Sequence, residues 1–340
     1  MSATEGLHTS RNFRLHSGMV LPEATIAYVT QGRLRDGGRN AVLLTHGYTS
    51  SHRFALGEAG ASEGSWGALV GPGKAIDTDR FYVISANMLG SSYGSTGPGS
   101  HDPSKGRPYG PDFPDITLSD IVAQQHDLLR HLGVTRLLAV VGPSFGGFQA
   151  FQWAVDFPDA MDAIVPVVTA PHSPATLGEG LEELVGFFAK DPSWNNGHHY
   201  GGVGVIGLMK KLRVTTLKGY GLEADLAERY PEPDAREAEI ERIAEAWARV
   251  FDPNSLITLR KASMRFDVRP SFPQIRARVL YVLSRTDTLF PPSLAESVMQ
   301  GFRGAGVRAD YAEIDSDRGH LASGLDAAKW ADRLGAFLSG

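Results

Sequence analysis

A serine within a Gly-x-Ser-x-Gly pattern is the residue best placed to do chemistry. Gly142 and Gly146 flank Ser144 at two residues on either side. The apolar run at 137–141 predicts a buried strand before the pattern, and the apolar spacing at 148–155 predicts a helix after it. A strand-to-helix turn of this kind holds a serine in strained geometry with its hydroxyl projecting from the sheet. The context therefore favours a nucleophile over a glycine-rich loop with an idle serine.

A serine hydroxyl needs a base in contact with it and an acid that orients the base. Asp287 follows the apolar run at 279–283, and His320 follows the run at 309–314 after a short loop and a glycine. The chain order Ser144, Asp287, His320 is the order expected when the serine sits on such a turn. We predict that His320 is the base and Asp287 the acid. Two other carboxylates compete but would have to fold back onto His320: Asp315 and Asp317.

The oxyanion that develops during attack on a carbonyl needs two preorganised donors. The backbone N–H directly after the nucleophile belongs to Phe145. The second donor is expected in the loop after an early strand, here the loop that follows residues 41–44. We predict Tyr48 N–H as this donor and interpret His46 as a structural residue packed beneath the loop.

Strand-like runs alternate with helical patterns along the chain, which is typical of a mostly parallel sheet. Residues 118–132 place apolar side chains on one helical face, and residues 325–338 predict a closing amphipathic helix. The sequence thus predicts an α/β core formed by residues 1–170 and 271–340. The runs typical of strands buried on both faces are residues 41–45, 81–85, 137–141, 163–168 and 279–283, and a further strand pattern follows at 309–314.

Residues 171–270 lack a strong strand pattern, and we predict that they form an inserted helical cap. A charged stretch at 223–250 predicts a helix, and its run at 223–249 is interpreted as a solvated helix face. Residues 202–207 match the Gly-x-Gly-x-x-Gly spelling of a dinucleotide loop, but the polar residues 193–200 precede them instead of a buried strand. The sequence therefore predicts no dinucleotide site and no other cofactor.

Composition excludes several classes of function. The absence of cysteine excludes disulfides, thiolate metal sites and a cysteine nucleophile, and we predict no metal site. A net charge of -5 makes nucleic acid a poor partner. No segment approaches the ~20 consecutive apolar residues of a membrane span, and the first residues show no leader pattern. We therefore expect a cytoplasmic protein with a small-molecule ester substrate, not a membrane-bound one.

The chain resembles the homoserine O-acetyltransferase family of α/β-hydrolase-fold enzymes. This resemblance implies the α/β-hydrolase fold, a catalytic triad of Ser144, Asp287 and His320, and a homodimer. The matching segments occur in the same order: residues 71–80, 87–90 with 94–98, 113–114 with 120–122, Gln149 with 153–154, Asp287 with 289–292, and 319–320, joined by 191–194 with Gly197 and Tyr200 of the cap.

One departure from the family concerns the substrate pocket. In the acetyltransferases an aspartate directly follows the catalytic histidine and holds the substrate ammonium, whereas Leu321 stands here. The loss of that partner removes a charge-assisted hydrogen bond of about 1.5–3 kcal/mol. We therefore predict a serine carboxylesterase that hydrolyses short-chain, acetate-type esters. The alternative is an acyl-CoA-dependent O-acetyltransferase of the homoserine type, and a third reading is an inactive scaffold that binds a ligand.

Overall fold

A single large sheet lies at the centre of the molecule. The computed structural model describes residues 3–35, 37–56, 65–201 and 204–340, with the backbone alone for residues 175–179. In chain order its strands are β1 (Thr4–Arg14), β2 (Val20–Gln31), β3 (Ala41–Thr45), β4 (Val70–Gly71), β5 (Ile76–Asp77), β6 (Tyr82–Ala86), β7 (His101–Asp102), β8 (Arg107–Pro108), β9 (Leu137–Pro143), β10 (Met161–Val167), β11 (Arg278–Ser284) and β12 (Ala309–Ile314).

Within the described residues, eight of these strands form one sheet in the order β1-β2-β6-β3-β9-β10-β11-β12. The strands from β6 to β12 in this order run parallel, whereas β1 and β2 are antiparallel to each other and β2 is antiparallel to β6. The mostly parallel arrangement agrees with the architecture predicted from the alternating strand and helix patterns. Its consequence for function is that the loops after β3, β9, β11 and β12 leave the sheet at one edge.

Alternate residues of each central strand belong to different apolar clusters. In β3, Leu43 packs into one cluster, while Val42 and Leu44 pack into the cluster on the opposite face. All three side chains are fully buried. This is the physical reason why β3 appears in the sequence as an unbroken apolar run: a strand covered on both faces has no solvated side.

Helices cover both faces of the sheet. In chain order they are α1 (Leu118–His131), α2 (Phe145–Asp156), α3 (Ala175–Phe188), α4 (Ile206–Gly219), α5 (Leu222–Leu226), α6 (Pro233–Ala248), α7 (Pro253–Met264), α8 (Leu294–Gly304), α9 (Ala322–Leu325) and α10 (Ala331–Ser339). Side chains of α1, α2 and α8 share the cluster of Leu43, and those of α10 share the opposite cluster. Among the described residues, no helix is both long enough and apolar enough to cross a bilayer.

Helices α3 to α7 are inserted between β10 and β11, so the chain leaves the sheet and returns to it. The boundaries predicted for the cap, residues 171–270, lie before α3 and inside the 3-10 helix Arg269–Gln274; the division into cap and core remains a prediction. The charged stretch predicted as one helix is divided into α5 and α6, because Pro233 begins a new helix. Part of the rejected dinucleotide pattern, Gly202 and Val203, lies outside the described residues.

Candidate active site

Ser144 lies on a sharp turn between β9 and α2. Its backbone angles are φ 55° and ψ -123°, a conformation that L-residues seldom adopt. The backbone is held there because Ser144 N–H donates to Val167 O at 2.8 Å and the Thr169 hydroxyl donates to Ser144 O at 2.8 Å. The strain predicted for this serine is thus present in the structure and is stabilised by the neighbouring strand β10.

The two glycines of the pattern are required by the close approach of β3. A Cβ atom added at Gly142 would lie 2.1 Å from Thr45 Oγ1, and one added at Gly146 would lie 2.2 Å from Thr45 O. Neither distance leaves room for a side chain. Thr45 Oγ1 instead donates to Gly146 O at 2.8 Å, which joins the serine turn to the end of β3.

Asp287 and His320 are hydrogen-bonded to each other. Asp287 Oδ2 lies 2.8 Å from His320 Nδ1, and both residues are buried. The other oxygen, Oδ1, accepts the N–H groups of Leu289 at 2.8 Å and Phe290 at 3.3 Å. Burial alone would raise the pKa of Asp287, but the His320 imidazole and these two N–H groups outweigh burial and hold the pKa below its ordinary value. The aspartate is therefore ionised and can orient the imidazole.

The competing carboxylates are placed elsewhere. The side chains of Asp315 and Asp317 are each 85% exposed, and both form ion pairs with Arg285 at 2.8 Å and 2.7 Å. Neither is the hydrogen-bond partner of His320 Nδ1, which is Asp287.

A cavity of about 120 Å³ brings the predicted nucleophile together with both predicted oxyanion residues, because Ser144, Tyr48 and Phe145 all line it. The rings of Tyr48 and Phe145 lie 5.9 Å apart. His320 packs against two residues that line this cavity. The ring centroids of Tyr220 and Phe290 lie 5.2 and 5.8 Å from that of the His320 imidazole. The remaining lining residues are Phe148, Pro174, Arg260, Ser263, Thr288 and Leu289.

The loop after β3 is held from below by buried polar contacts. Oδ1 of Asn87 lies 2.8 Å from His46 Nε2, and Gln149 Nε2 donates to His46 O at 3.1 Å. Gln125 Nε2 in turn donates to Gln149 Oε1 at 2.6 Å. The imidazole of His46 is fully buried in this network, which agrees with its interpretation as a structural residue.

The same loop is held from above by the inserted helices. Trp247 Nε1 of α6 donates to Thr49 O at 3.1 Å, and Arg213 Nη1 of α4 donates to Thr49 Oγ1 at 2.8 Å. The Tyr48 hydroxyl donates to Leu256 O of α7. These contacts join the insertion directly to the loop that carries the predicted oxyanion donor. Sequence reasoning missed them because they connect residues far apart in the chain.

Leu321 lies directly after His320 but is not among the residues that line the cavity. It is fully buried in an apolar cluster with Leu217, Leu222 and Leu226 of the inserted helices. Its predicted role in the substrate pocket remains a prediction. Among the described residues, no group of three histidine, aspartate or glutamate side chains could hold a metal ion.

His52 lies just beyond the Tyr48 loop, and we predict that it makes the free energy of unfolding depend on pH. Burial, with smaller contributions from His46 and Arg53, lowers the pKa of His52 from 6.5 to about 4. The unfolded chain therefore binds a proton between about pH 6.5 and pH 4 that the folded chain does not, so stability must fall as the pH is lowered through this range. We expect a loss of up to about 3 kcal/mol of unfolding free energy, measured by urea denaturation at pH 7 and pH 4.5.

The His52→Gln variant separates this effect from other titrating groups. The variant should lose part of the pH dependence, whereas His101→Gln, at an exposed position, should keep all of it. An identical pH profile for wild type and His52→Gln would contradict the assignment to His52.

These features together define an enzyme of the α/β-hydrolase-fold class, and a family model described as alpha/beta hydrolase fold matches residues 40–201. Within that class, the chain belongs to the homoserine O-acetyltransferase family. It is 35% identical to "Serine O-succinyltransferase" of Frateuria aurantia over 96% of both chains. It is 34% identical to "Homoserine O-acetyltransferase" of Solidesulfovibrio magneticus over 95% of this chain and 88% of that one.

The similarity extends to an esterase of known structure. The crystal structure of esterase E22 superposes with a TM-score of 0.88 and 26% identity, covering 99% of this chain and 100% of the esterase. The α/β-hydrolase fold and the family predicted from the sequence are therefore confirmed. The chain is thus similar in sequence to relatives named as acyltransferases and similar in structure to an esterase.

Proposed function

We propose that the protein transfers acyl groups through an acyl-enzyme formed on Ser144. The observation that carries the proposal is the Asp287–His320 hydrogen bond beside the cavity that Ser144 lines. Ser144 Oγ attacks the carbonyl carbon of a thioester or ester while His320 Nε2 takes the hydroxyl proton. The bond from that carbon to the leaving sulfur or oxygen then breaks, and His320 returns the proton to the leaving group.

In this proposal the N–H groups of Phe145 and Tyr48 stabilise the oxyanion. Phe145 is the first residue of α2, where the positive end of the helix dipole favours negative charge. Tyr48 is fixed by the contacts of its loop to the inserted helices and to the network beneath it. Preorganised donors of this kind are worth about 10²–10³-fold in kcat each.

For the second half-reaction, we propose the hydroxyl group of a small molecule as the acceptor. The oxygen of the acceptor attacks the acyl carbon while His320 removes the acceptor's hydroxyl proton. The bond from the acyl carbon to Ser144 Oγ then breaks, and His320 passes the proton to Ser144 Oγ. Relatives that match nearly the whole chain are named for O-acyl transfer to serine or homoserine. The comparisons thus support the transferase alternative better than the hydrolysis predicted first, and these two alcohols are the first acceptors to test.

Hydrolysis is the second candidate function, with water in place of the alcohol. Two observations favour it: Leu321 stands where an ammonium partner is expected, and the esterase E22 structure superposes over the whole chain. Both candidates use the same acyl-enzyme, so they differ only in what removes the acyl group.

The two candidates can be separated with the purified protein. Acetyl-CoA or succinyl-CoA is supplied with homoserine, with serine, or with no acceptor, and free thiol and acylated product are measured. Transfer predicts that thiol release depends on the acceptor and matches the O-acyl product in amount. Acceptor-independent thiol release together with fast turnover of p-nitrophenyl acetate would instead establish hydrolysis and refute the transferase proposal.

The Leu321→Asp variant tests the acceptor side of the site. A carboxylate next to His320 should attract the ammonium of homoserine, and a charge-assisted hydrogen bond predicts a KM about tenfold lower for homoserine. The KM for an alcohol without an ammonium should not fall. Because Leu321 is fully buried among leucines, we also expect a lower melting temperature for the variant.

Leu321→Asn is the matched control, since it has nearly the same shape without the charge. If homoserine KM is unchanged in Leu321→Asp, or falls equally in both variants, the position does not bind the acceptor through its charge.

A further inference from the structure

Helix α7 and its C-cap residue carry three cationic side chains, and Arg260 differs from the other two in its position. Lys261 and Arg265 face outward, and each lies 3.1 Å from the carboxylate of Asp115. Arg260 instead lines the cavity of Ser144. Its Nε is buried, and no described residue accepts a hydrogen bond from it. Among the described residues, its guanidinium has no ion-pair partner.

The position of this guanidinium depends on a glycine of helix α3. A Cβ atom added at Gly180 would lie 2.4 Å from Nη2 of Arg260, so a larger residue there would force the side chain of Arg260 to move. Helices α3 and α7 pack against each other at this point. The fold therefore leaves room for the guanidinium beside the cavity.

No described side chain that lines the cavity neutralises Arg260. The described lining residues are mostly aromatic or aliphatic, with hydroxyl groups from Ser144, Ser263, Thr288 and the tyrosines, and none of them is an aspartate or glutamate. A cation at an apolar cavity is unfavourable until an anion joins it. A carboxylate is the anion that guanidinium binds best, through two parallel hydrogen bonds.

We propose that Arg260 binds a carboxylate at the far end of the acyl group, so that Ser144 is acylated preferentially by a dicarboxylic acid derivative of succinyl type. This inference rests on the acyl-enzyme of the proposed function. The carboxylate of an amino-acid acceptor is the other source of the same chemistry. We favour the acyl group because it is attached to Ser144 in the acyl-enzyme, and Ser144 and Arg260 line the same cavity.

Acylation of Ser144 can be measured separately from the fate of the acyl group. The probes are p-nitrophenyl hemisuccinate and p-nitrophenyl acetate, with nitrophenol release followed in the burst phase and the acyl-enzyme weighed by mass spectrometry. We expect the acylation rate constant to favour hemisuccinate at least about tenfold. Arg260→Gln should lower the ratio of hemisuccinate to acetate about 10- to 100-fold, and Arg260→Lys should restore part of it.

Arg265→Gln is the matched control, because it removes a cation from the same helix outside the cavity, and its ratio should equal that of the wild type. A wild-type ratio near one, or an unchanged ratio in both Arg260 variants, would overturn the proposal. If Arg260→Gln slows deacylation by homoserine but not acylation by hemisuccinate, the carboxylate belongs to the acceptor and the acyl assignment is wrong. If the transferase proposal fails, water instead of an alcohol removes the acyl group from Ser144. The ratio of the acylation rates with hemisuccinate and acetate can still be measured in that case.

Discussion

Replacing Ser144 by alanine is expected to lower kcat by roughly 10⁴- to 10⁶-fold, because the acyl-enzyme cannot form without the hydroxyl oxygen. No acyl adduct should appear by mass spectrometry after incubation with acyl-CoA or a p-nitrophenyl ester. The fold should be retained, since the backbone of residue 144 is held by Val167 O and Thr169 Oγ1, and neither contact uses the serine hydroxyl. Near-wild-type circular dichroism and melting temperature would establish this.

Ser284→Ala is the control for this prediction. Ser284 ends strand β11, three residues before Asp287, and is fully buried, so the variant makes the same chemical change close to the site. It should retain activity within a few-fold of the wild type. Substantial activity in Ser144→Ala, or an equal loss in Ser284→Ala, would mean that Ser144 is not the nucleophile.

The central part of the fold could be predicted because its strands are buried on both faces. The run at 41–45 coincides with β3 and the run at 279–283 lies within β11, since such strands contain little besides apolar residues. The run at 309–314 coincides with β12, an edge strand that is only partly buried. Strands β1 and β2 were missed for the opposite reason. They pair at the edge of the sheet, and β1 has largely exposed side chains, so its sequence is mostly polar.

The end of the chain shows how tertiary contacts override a local pattern. Residues 325–338 predict one helix, but the structure has α9, a 3-10 turn and then α10. Trp330 lies at the break, where its Nε1 donates to Ser323 O at 2.9 Å and its ring packs 5.8 Å from that of Trp66. This contact partner lies far away in the sequence, so helical periodicity alone could not locate the break.

The candidate site likewise has residues that could be predicted from the sequence and contacts that could not. Ser144, Asp287 and His320 could be chosen from the sequence because each follows a strand that reaches the same edge of the sheet. The contacts of Trp247 and Arg213 to Thr49, and the position of Arg260 in the cavity, depend on how the inserted helices fold over the sheet. The sequence does not show in which direction a cationic side chain of a helix points. For Arg260, this direction is seen only from the packing of α3 against α7.

Replacing Asp287 by asparagine is expected to lower kcat by about 10³- to 10⁴-fold. Asp287 Oδ1 accepts two backbone N–H groups, so the amide oxygen of asparagine should take that place and leave its NH₂ group facing His320 Nδ1. Facing a donor, Nδ1 must act as acceptor, which places the imidazole proton on Nε2. That tautomer cannot take the proton of Ser144. The pH–rate profile and kcat of the purified variant measure this effect.

Asp317→Asn distinguishes this mechanism from a general loss of negative charge near His320. Asp317 is exposed and paired with Arg285, so its variant should keep kcat within about threefold, as should Asp315→Asn.

The stability of Asp287→Asn provides a second readout. The lowered pKa of Asp287 stabilises the fold above about pH 4, and this contribution is lost as the pH falls through the folded-state value, so Asp287→Asn should be less stable than wild type at pH 7 and closer to it in acid. Activity near that of wild type in Asp287→Asn would show that another group orients His320, and the assignment of the acid would then be wrong.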